Sequence, residues 1–176
     1  MRKVTFSCAT SLDNYIAREN GSFDWIMHSD EAMELMKDFW SRIGTMIMGR
    51  KTYDIAQQNA PSSKKADGQL ETFVFSRTLE AGTRDGYTFV NTDPAEFVRD
   101  LKQPDGKDIF IMSGGSLARS VLEAGVIDDI ALNIHPILLG SGVPLFYKMK
   151  RQIDLERIDC RPLKNGCVYV KYRVKN

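Results

Sequence analysis

The 176-residue chain is 43% hydrophobic and 27% charged, with a formal net charge of +1. This is the composition of a soluble globular protein, long enough for one domain with a sizeable core and short for two, so a single domain over 1–176 is expected. Near-neutral charge argues against a general nucleic-acid binder, and there is no run of about 18 apolar residues to cross a bilayer. Cys8, Cys160 and Cys167 lack Cys-x-x-Cys spacing, and His28 and His135 stand far apart, so neither a disulfide framework nor a metal site is suggested. Met1 to Phe6 lead straight into a strand-like pattern without an apolar leader, so the cytoplasm is the expected location.

Val4 to Thr10, rich in β-branched and aromatic residues, predicts a first buried strand. Residues 11–22 mix turn formers with Leu12, Tyr15 and Ile16, as an ordered loop does. A helix is predicted from about Ser29, with Ser29 or Asp30 as the cap; Met33, Met36, Trp40 and Ile43 form its apolar row, read as core packing, with Phe39 beside it. Gly44 fits the end of that helix. Thr45 to Met48 then form a buried strand that ends at Gly49 and meets Arg50, Lys51 and Thr52. A helix start offers free backbone N–H groups and partial positive charge, Thr52 adds a hydroxyl, and Arg50 can hold phosphate through paired hydrogen bonds. The same four residues also fit a turn followed by solvated basic surface.

Thr52 to Gln58 predict a short second helix, and polar 59–69 a mobile loop. Leu70 to Ser76 and Tyr87 to Asn91 read as strands. Asp93, Pro94 and Glu96 supply a cap, a first-turn proline and a carboxylate for a helix reaching about Lys102. Ile109 to Met112 form an apolar run typical of a strand buried on both faces. Ser113, Gly114, Gly115 and Ser116 lead into a helix carrying Leu117, Val121 and Leu122 and ending at Gly125. Ile130 to Ile134 form another strand. Residues 153–160 and 167–174, around Asn165 and Gly166, form a closing hairpin. Gly140, Ser141 and Gly142 begin like a dinucleotide fingerprint, but Val143 and Pro144 replace the glycine-bearing helix start it requires.

Alternating strands and helices predict a mainly parallel α/β sheet with helices on both faces and a C-terminal antiparallel hairpin. Ligands of such folds sit at the carboxyl ends of the strands. Three of these ends carry phosphate-binding chemistry: Gly49 to Thr52, Ser76 to Thr78, and Ser113 to Ser116.

Five stretches in order, 11–17, 48–53, 74–77, 113–117 and 136–146, resemble the dihydrofolate reductase superfamily, and more closely the reductase domain of the bifunctional riboflavin-biosynthesis deaminase/reductase (RibD C-terminal domain-like). The resemblance implies a three-layer dihydrofolate reductase-like fold and an NADPH-dependent reductase of a pyrimidine, pterin or related heterocyclic or carbonyl substrate. One version is a 5-amino-6-(5-phosphoribosylamino)uracil reductase; dihydrofolate reductase proper and a non-catalytic NADP-binding module are the alternatives. It assigns Arg50, Ser76 and Arg77 to the adenosine 2′-phosphate, and Thr52 with the Gly49, Arg50 and Lys51 backbone to pyrophosphate. The turn Ser113, Gly114, Gly115, Ser116 and Leu117 would lie against the cofactor, with a cis Gly114–Gly115 bond. Ala9, Ile16 and Ala17 would line the nicotinamide. It also implies a homodimer, with 136–146 as a candidate interface.

The resemblance leaves the proton donor open. Asp30, Glu34 and Asp13 are the candidates, with Asp24 and Glu31 nearby; each also fits a cap, turn or solvated face. His28 and His135 fit structural roles, with proton transfer an option for His28. Phe23 and Trp25 either wall a substrate pocket or staple the following helix. A sugar-phosphate substrate would need a second basic patch, for which Lys64, Lys65, Lys148 and Arg151 are available.

Overall fold

The computed structural model describes residues 1–59 and 70–175, so the loop predicted for 59–69 falls almost wholly outside them. In chain order the elements are β1 Val4–Ser11, β2 Tyr15–Ala17, α1 Asp30–Arg42, β3 Ile43–Gly49, α2 Arg50–Asn59, β4 Glu71–Phe75, β5 Gly82–Arg84 and β6 Tyr87–Val90. Then follow α3 Pro94–Lys102, β7 Asp108–Ile111, α4 Gly115–Glu123, β8 Asp129–His135, β9 Val143–Pro144, β10 Leu155–Pro162 and β11 Val168–Val174. Nine strands form one sheet in the order β10-β11-β8-β1-β7-β3-β4-β6-β5, and β2 pairs with β9 beside it. The central pairs are parallel, while β5 and the β10–β11 hairpin add antiparallel edges.

The two faces of the sheet are filled differently. Val4, Phe6, Ile47, Phe73, Phe75, Ile109 and Ile111 point to one side, where Val98 of α3 and Leu117, Ala118 and Val121 of α4 complete the main core. Met48, Val74 and Phe89 point to the other, under Tyr53 of α2. On that second face Phe39 and Trp40 of α1 meet Phe110 edge-on, at 5.1 and 5.2 Å between ring centroids. Local chemistry fixes α3: the Asp93 side chain accepts the Ala95 and Glu96 N–H groups, and Pro94 occupies the first turn.

Helix α1 departs from the sequence reading. Ser29 is the cap, its side chain accepting the Ala32 N–H, but no residue of the helix is fully buried. Met33, Met36 and Trp40 are 62%, 40% and 36% exposed, so they are not a core row. Leu35 and Phe39, four residues apart and half-buried, face the sheet, with the Trp40 ring reaching Phe110 beside them. Both rows satisfy the helical period; the helix turns Leu35 and Phe39 inward and Met33 and Met36 outward, with Trp40 at the boundary.

Gly44 does not end α1 either. Ile43 is its C-cap in extended conformation and Gly44 already belongs to β3, where an added Cβ would meet the Lys107 Cβ at 2.8 Å. The pairing of β3 with β7 shifts there, between Ile43 and Thr45. Close strand packing, rather than helix termination, explains this glycine. Helix α2 begins at Arg50, two residues before the predicted start, so Gly49 abuts it directly. The exposed edge strand β5 has no sequence signal of its own.

Candidate functional site

Parallel pairing places the carboxyl ends of β1, β3, β4, β6 and β7 along one edge. Gly49 lies level with Phe75, and the Met112 N–H donates to the Ile47 carbonyl, so the turns after β3, β4 and β7 emerge side by side. A Cβ on Gly49 would come within 3.2 Å of Ser113 Oγ, a direct measure of how closely two of these turns approach.

Each turn is held by its own polar groups. The Arg50 Nε donates to Asp54 Oδ1 at 2.6 Å, one helical turn along α2. Buried Ser76 accepts the Thr78 and Leu79 N–H groups on its hydroxyl at 3.2 and 3.0 Å, forming a tight turn that projects exposed Arg77. Ser113 is buried, and Gly114 caps α4 with no side-chain bond to the helix N–H groups. There is no cis peptide among the described residues, which corrects the expectation for Gly114–Gly115. The turn is made instead by Gly115 at φ +65°, a conformation open to glycine. Cβ atoms on Gly114 and Gly115 would meet Ile16 Cδ1 at 2.3 Å and the Tyr147 ring at 2.5 Å.

Ile16 therefore covers Gly114, and Ala17 is buried next to it. Ala9 sits in β1 opposite Asn133 of β8. Asp13 joins two loops: it accepts the Ser11 hydroxyl at 2.6 Å and the Leu139 and Gly140 N–H groups at 3.1 and 2.8 Å. The Ser11 bond, helped by the two backbone bonds, holds the Asp13 carboxyl below its ordinary range against the opposing pull of desolvation. Leu12 N–H to the Ile137 carbonyl, Leu145 N–H to the Asn14 carbonyl and the β2–β9 pair complete this junction.

The carboxylates before and within α1 separate by environment. Asp24 accepts from Arg18 Nε at 2.8 Å and from the Ser22 hydroxyl, and the Arg18 bond foremost keeps its carboxyl below the usual range. Glu31 accepts the Lys164 N–H at 2.8 Å, which lowers its pKa and ties α1 to the turn between β10 and β11. Asp30 and Glu34 are exposed and have no hydrogen-bond partner among the described residues. His28 is exposed. His135 is fully buried: its Nδ1 accepts the Met27 N–H at 3.3 Å and lies 3.2 Å from Cys167 Sγ, with Trp25 edge-on at 5.2 Å. Burial first, and the nearby His28 charge second, lower the His135 pKa.

Phe23 is 41% exposed, whereas Trp25 is buried. Arg151 lies by the end of α4, where the Lys150 N–H donates to Glu123, and the Lys148 carbonyl accepts from Arg119. Lys64 and Lys65 fall outside the described residues. Three participants carried no motif: Asp54, Asn133 and Cys167. Only Asp54, four residues after Arg50 on a helix, offered a local signal.

A sheet of this order, with helices on both faces and the Gly49, Ser76 and Ser113 turns along its carboxyl edge, is a dihydrofolate reductase-like architecture. Dihydrofolate reductase from Enterococcus faecalis, solved with NADP(H), shares the fold at a TM-score of 0.69 and 14% identity, over 99% of this chain and 97% of that one. A protein of Shewanella sp. PV-4 assigned to riboflavin biosynthesis matches at a TM-score of 0.85 and 25% identity, with both chains covered in full. The Bacillus subtilis (strain 168) protein YyaP is 34% identical over 181 residues, spanning 97% of this chain and 94% of that protein. The profile of the RibD C-terminal domain family matches residues 2–169, and the chain belongs to that family. Membership supports a reductase kind of activity.

Proposed function

We propose that the protein is an NADPH-dependent reductase of a small heterocyclic or carbonyl substrate, a pyrimidine or pterin type, with a 5-amino-6-(5-phosphoribosylamino)uracil reductase as one version. The observation that carries this is the convergence of the Gly49–Arg50, Ser76–Arg77 and Ser113–Gly115 turns on one sheet edge. The residues there fit the cofactor: the start of α4 has no side-chain cap, and its glycines leave a cradle that a Cβ would fill. When bound, NADPH supplies a hydride from its nicotinamide C4.

In this scheme Arg50 and Arg77 bind the 2′-phosphate, and the Ser76 turn aims Arg77 at it. Thr52 and the first N–H groups of α2 take pyrophosphate, as do those of α4 from Gly115 to Leu117. Ala9, Ile16 and Ala17 form an apolar wall that excludes water from the nicotinamide. Asp13 locks the 136–146 loop against the wall. Asp30 and Glu34, whose carboxylates have no partner among the described residues, are the candidates to hold the proton the substrate needs. A cytoplasmic homodimer accompanies this scheme; a monomeric mass by light scattering at micromolar concentration would overturn that part.

The test is a tryptophan-quenching titration with NADPH and NADH, for the parent and Arg50→Ala. NADPH should bind at least about tenfold tighter, and Arg50→Ala should remove most of that preference, about 1.4 kcal/mol. If neither dinucleotide binds, the proposed activity fails.

A further inference from the structure

We propose that Asp54 is a positioning residue for the cofactor's 2′-phosphate, holding the Arg50 guanidinium by one side so that its two terminal nitrogens stay free for the phosphate. This rests on the reductase function proposed above and deepens it.

The start of α2 departs from the rule that α1 and α3 obey. Helix α1 opens on Asp30 and Glu31, and α3 carries Glu96 in its first turn, as the positive end of a helix favours. Helix α2 opens on Arg50 and Lys51, with no acidic residue in its first turn. Two cations there oppose the helix dipole, so α2 forms against a local cost that an anion at this end would remove.

Strand register sets a further cation beside them. Gly49 is level with Phe75, so Arg50 and Ser76 leave adjacent parallel strands at the same height, and the Ser76 turn carries Arg77. The two arginines are held differently. Arg77 is exposed and has no partner among the described residues. The Arg50 Nε is bonded to Asp54 Oδ1 at 2.6 Å, and the two side chains are 39% and 40% exposed. A ligand from solvent can therefore reach the pair.

Residues four apart share one face of a helix, which brings Asp54 within reach of Arg50. Asp54 lies beyond the first turn, where the dipole's effect has faded, and an exposed pair of this kind adds little to stability. Its consequence lies in geometry. The bond uses the Nε–H alone and leaves the N–H groups of both terminal nitrogens, which can grip two phosphate oxygens in parallel. A free arginine side chain loses rotamer freedom when it grips a ligand. Asp54 has already removed much of that freedom before the cofactor arrives.

Tryptophan quenching measures NADPH and NADH binding for the parent, Asp54→Ala, Asp54→Asn, and Arg50→Ala with and without Asp54→Ala. Asp54→Ala should weaken NADPH binding at least about threefold and leave NADH, which has no 2′-phosphate, within about twofold. Asp54→Asn keeps an oxygen that accepts from Nε and removes a negative charge, so it should bind NADPH at least as tightly as the parent. In the Arg50→Ala background, Asp54→Ala should change neither affinity by more than about twofold. Equal weakening of NADPH and NADH marks a merely structural role and overturns the proposal. So does Asp54→Ala binding NADPH as tightly as the parent or tighter, or Asp54→Asn losing as much as Asp54→Ala, or a further loss of NADPH affinity in the Arg50→Ala background. Any of these with a parent that prefers NADPH leaves the reductase function standing; a parent that binds neither dinucleotide overturns both.

Discussion

The carboxylate of Asp13 holds the backbone N–H groups of Leu139 and Gly140, 126 and 127 residues further along the chain. Through this one side chain the loop after β1 and the loop after β8 become a single unit, with Ile16 and Ala17 on one side and Gly142 on the other.

Replacing Asp13 by Asn keeps the size and removes the charge-assisted bonds. NADPH affinity should fall several-fold while the fold persists. The folded carboxyl has a lowered pKa, so its contribution to stability is present above the ordinary aspartate value of 3.8 and is lost as pH falls through the folded value. Melting temperatures of the parent and Asp13→Asn, measured from pH 7 down to 3, should therefore converge in acid.

The glycines of the cradle should differ in tolerance. A Cβ on Gly142 would sit 2.2 Å from the Ala17 carbonyl oxygen, at φ +150°. Backbone cannot move aside, so Gly142→Ala should cost about 2–5 kcal/mol, lowering Tm by roughly 5–15 °C. Gly114→Ala meets only the tip of Ile16, which can rotate, so it should leave Tm nearly unchanged and reduce cofactor affinity. Calorimetry with and without NADPH separates the two.

The two apolar rows of α1 predict opposite outcomes. Met33→Gln and Met36→Gln, on the outward row, should change stability by no more than about 0.5 kcal/mol. Phe39→Ala removes the ring packed on Phe110 and should cost about 2–3 kcal/mol, less than a fully buried phenylalanine. Urea unfolding of the three variants checks this.

His135 should set part of the acid sensitivity. Its folded pKa lies below the ordinary 6.5, so its contribution is complete above 6.5 and is lost as pH falls through the folded value. His135→Ala leaves the Met27 N–H without its acceptor and opens a cavity, at a cost of about 3 kcal/mol near neutrality. Unfolding free energies between pH 8 and 5 should fall less steeply for the variant than for the parent.

Much of the fold was readable because its signals are local. Asp93, Pro94 and Glu96 mark the start of α3 by themselves, and Ile109 to Ile111 form an apolar run that only a doubly covered strand explains. The gathering of the Gly49, Ser76 and Ser113 turns on one edge was readable for a topological reason, since parallel strands send every strand-end turn to one side. What stayed hidden depends on distant partners or on a choice between equals. Met33–Met36 and Leu35–Phe39 both fit the helical period, and only the sheet beneath decides between them. Gly44 reads as a helix stop until Lys107, 63 residues away, is seen pressed against it. The neutral, buried setting of His135 comes from Met27 and Cys167, which no motif links to it.

The turn between β10 and β11 reaches back to the entrance of α1: Asn165 Nδ2 donates to the Met27 carbonyl, and the Lys164 N–H donates to Glu31. A ribosome making this chain finishes the turns after β3, β4 and β7 long before it releases residue 165. The nascent protein can therefore bring those three turns together first, while the segment around Met27 and Glu31 waits for the last hairpin to be threaded beside β8.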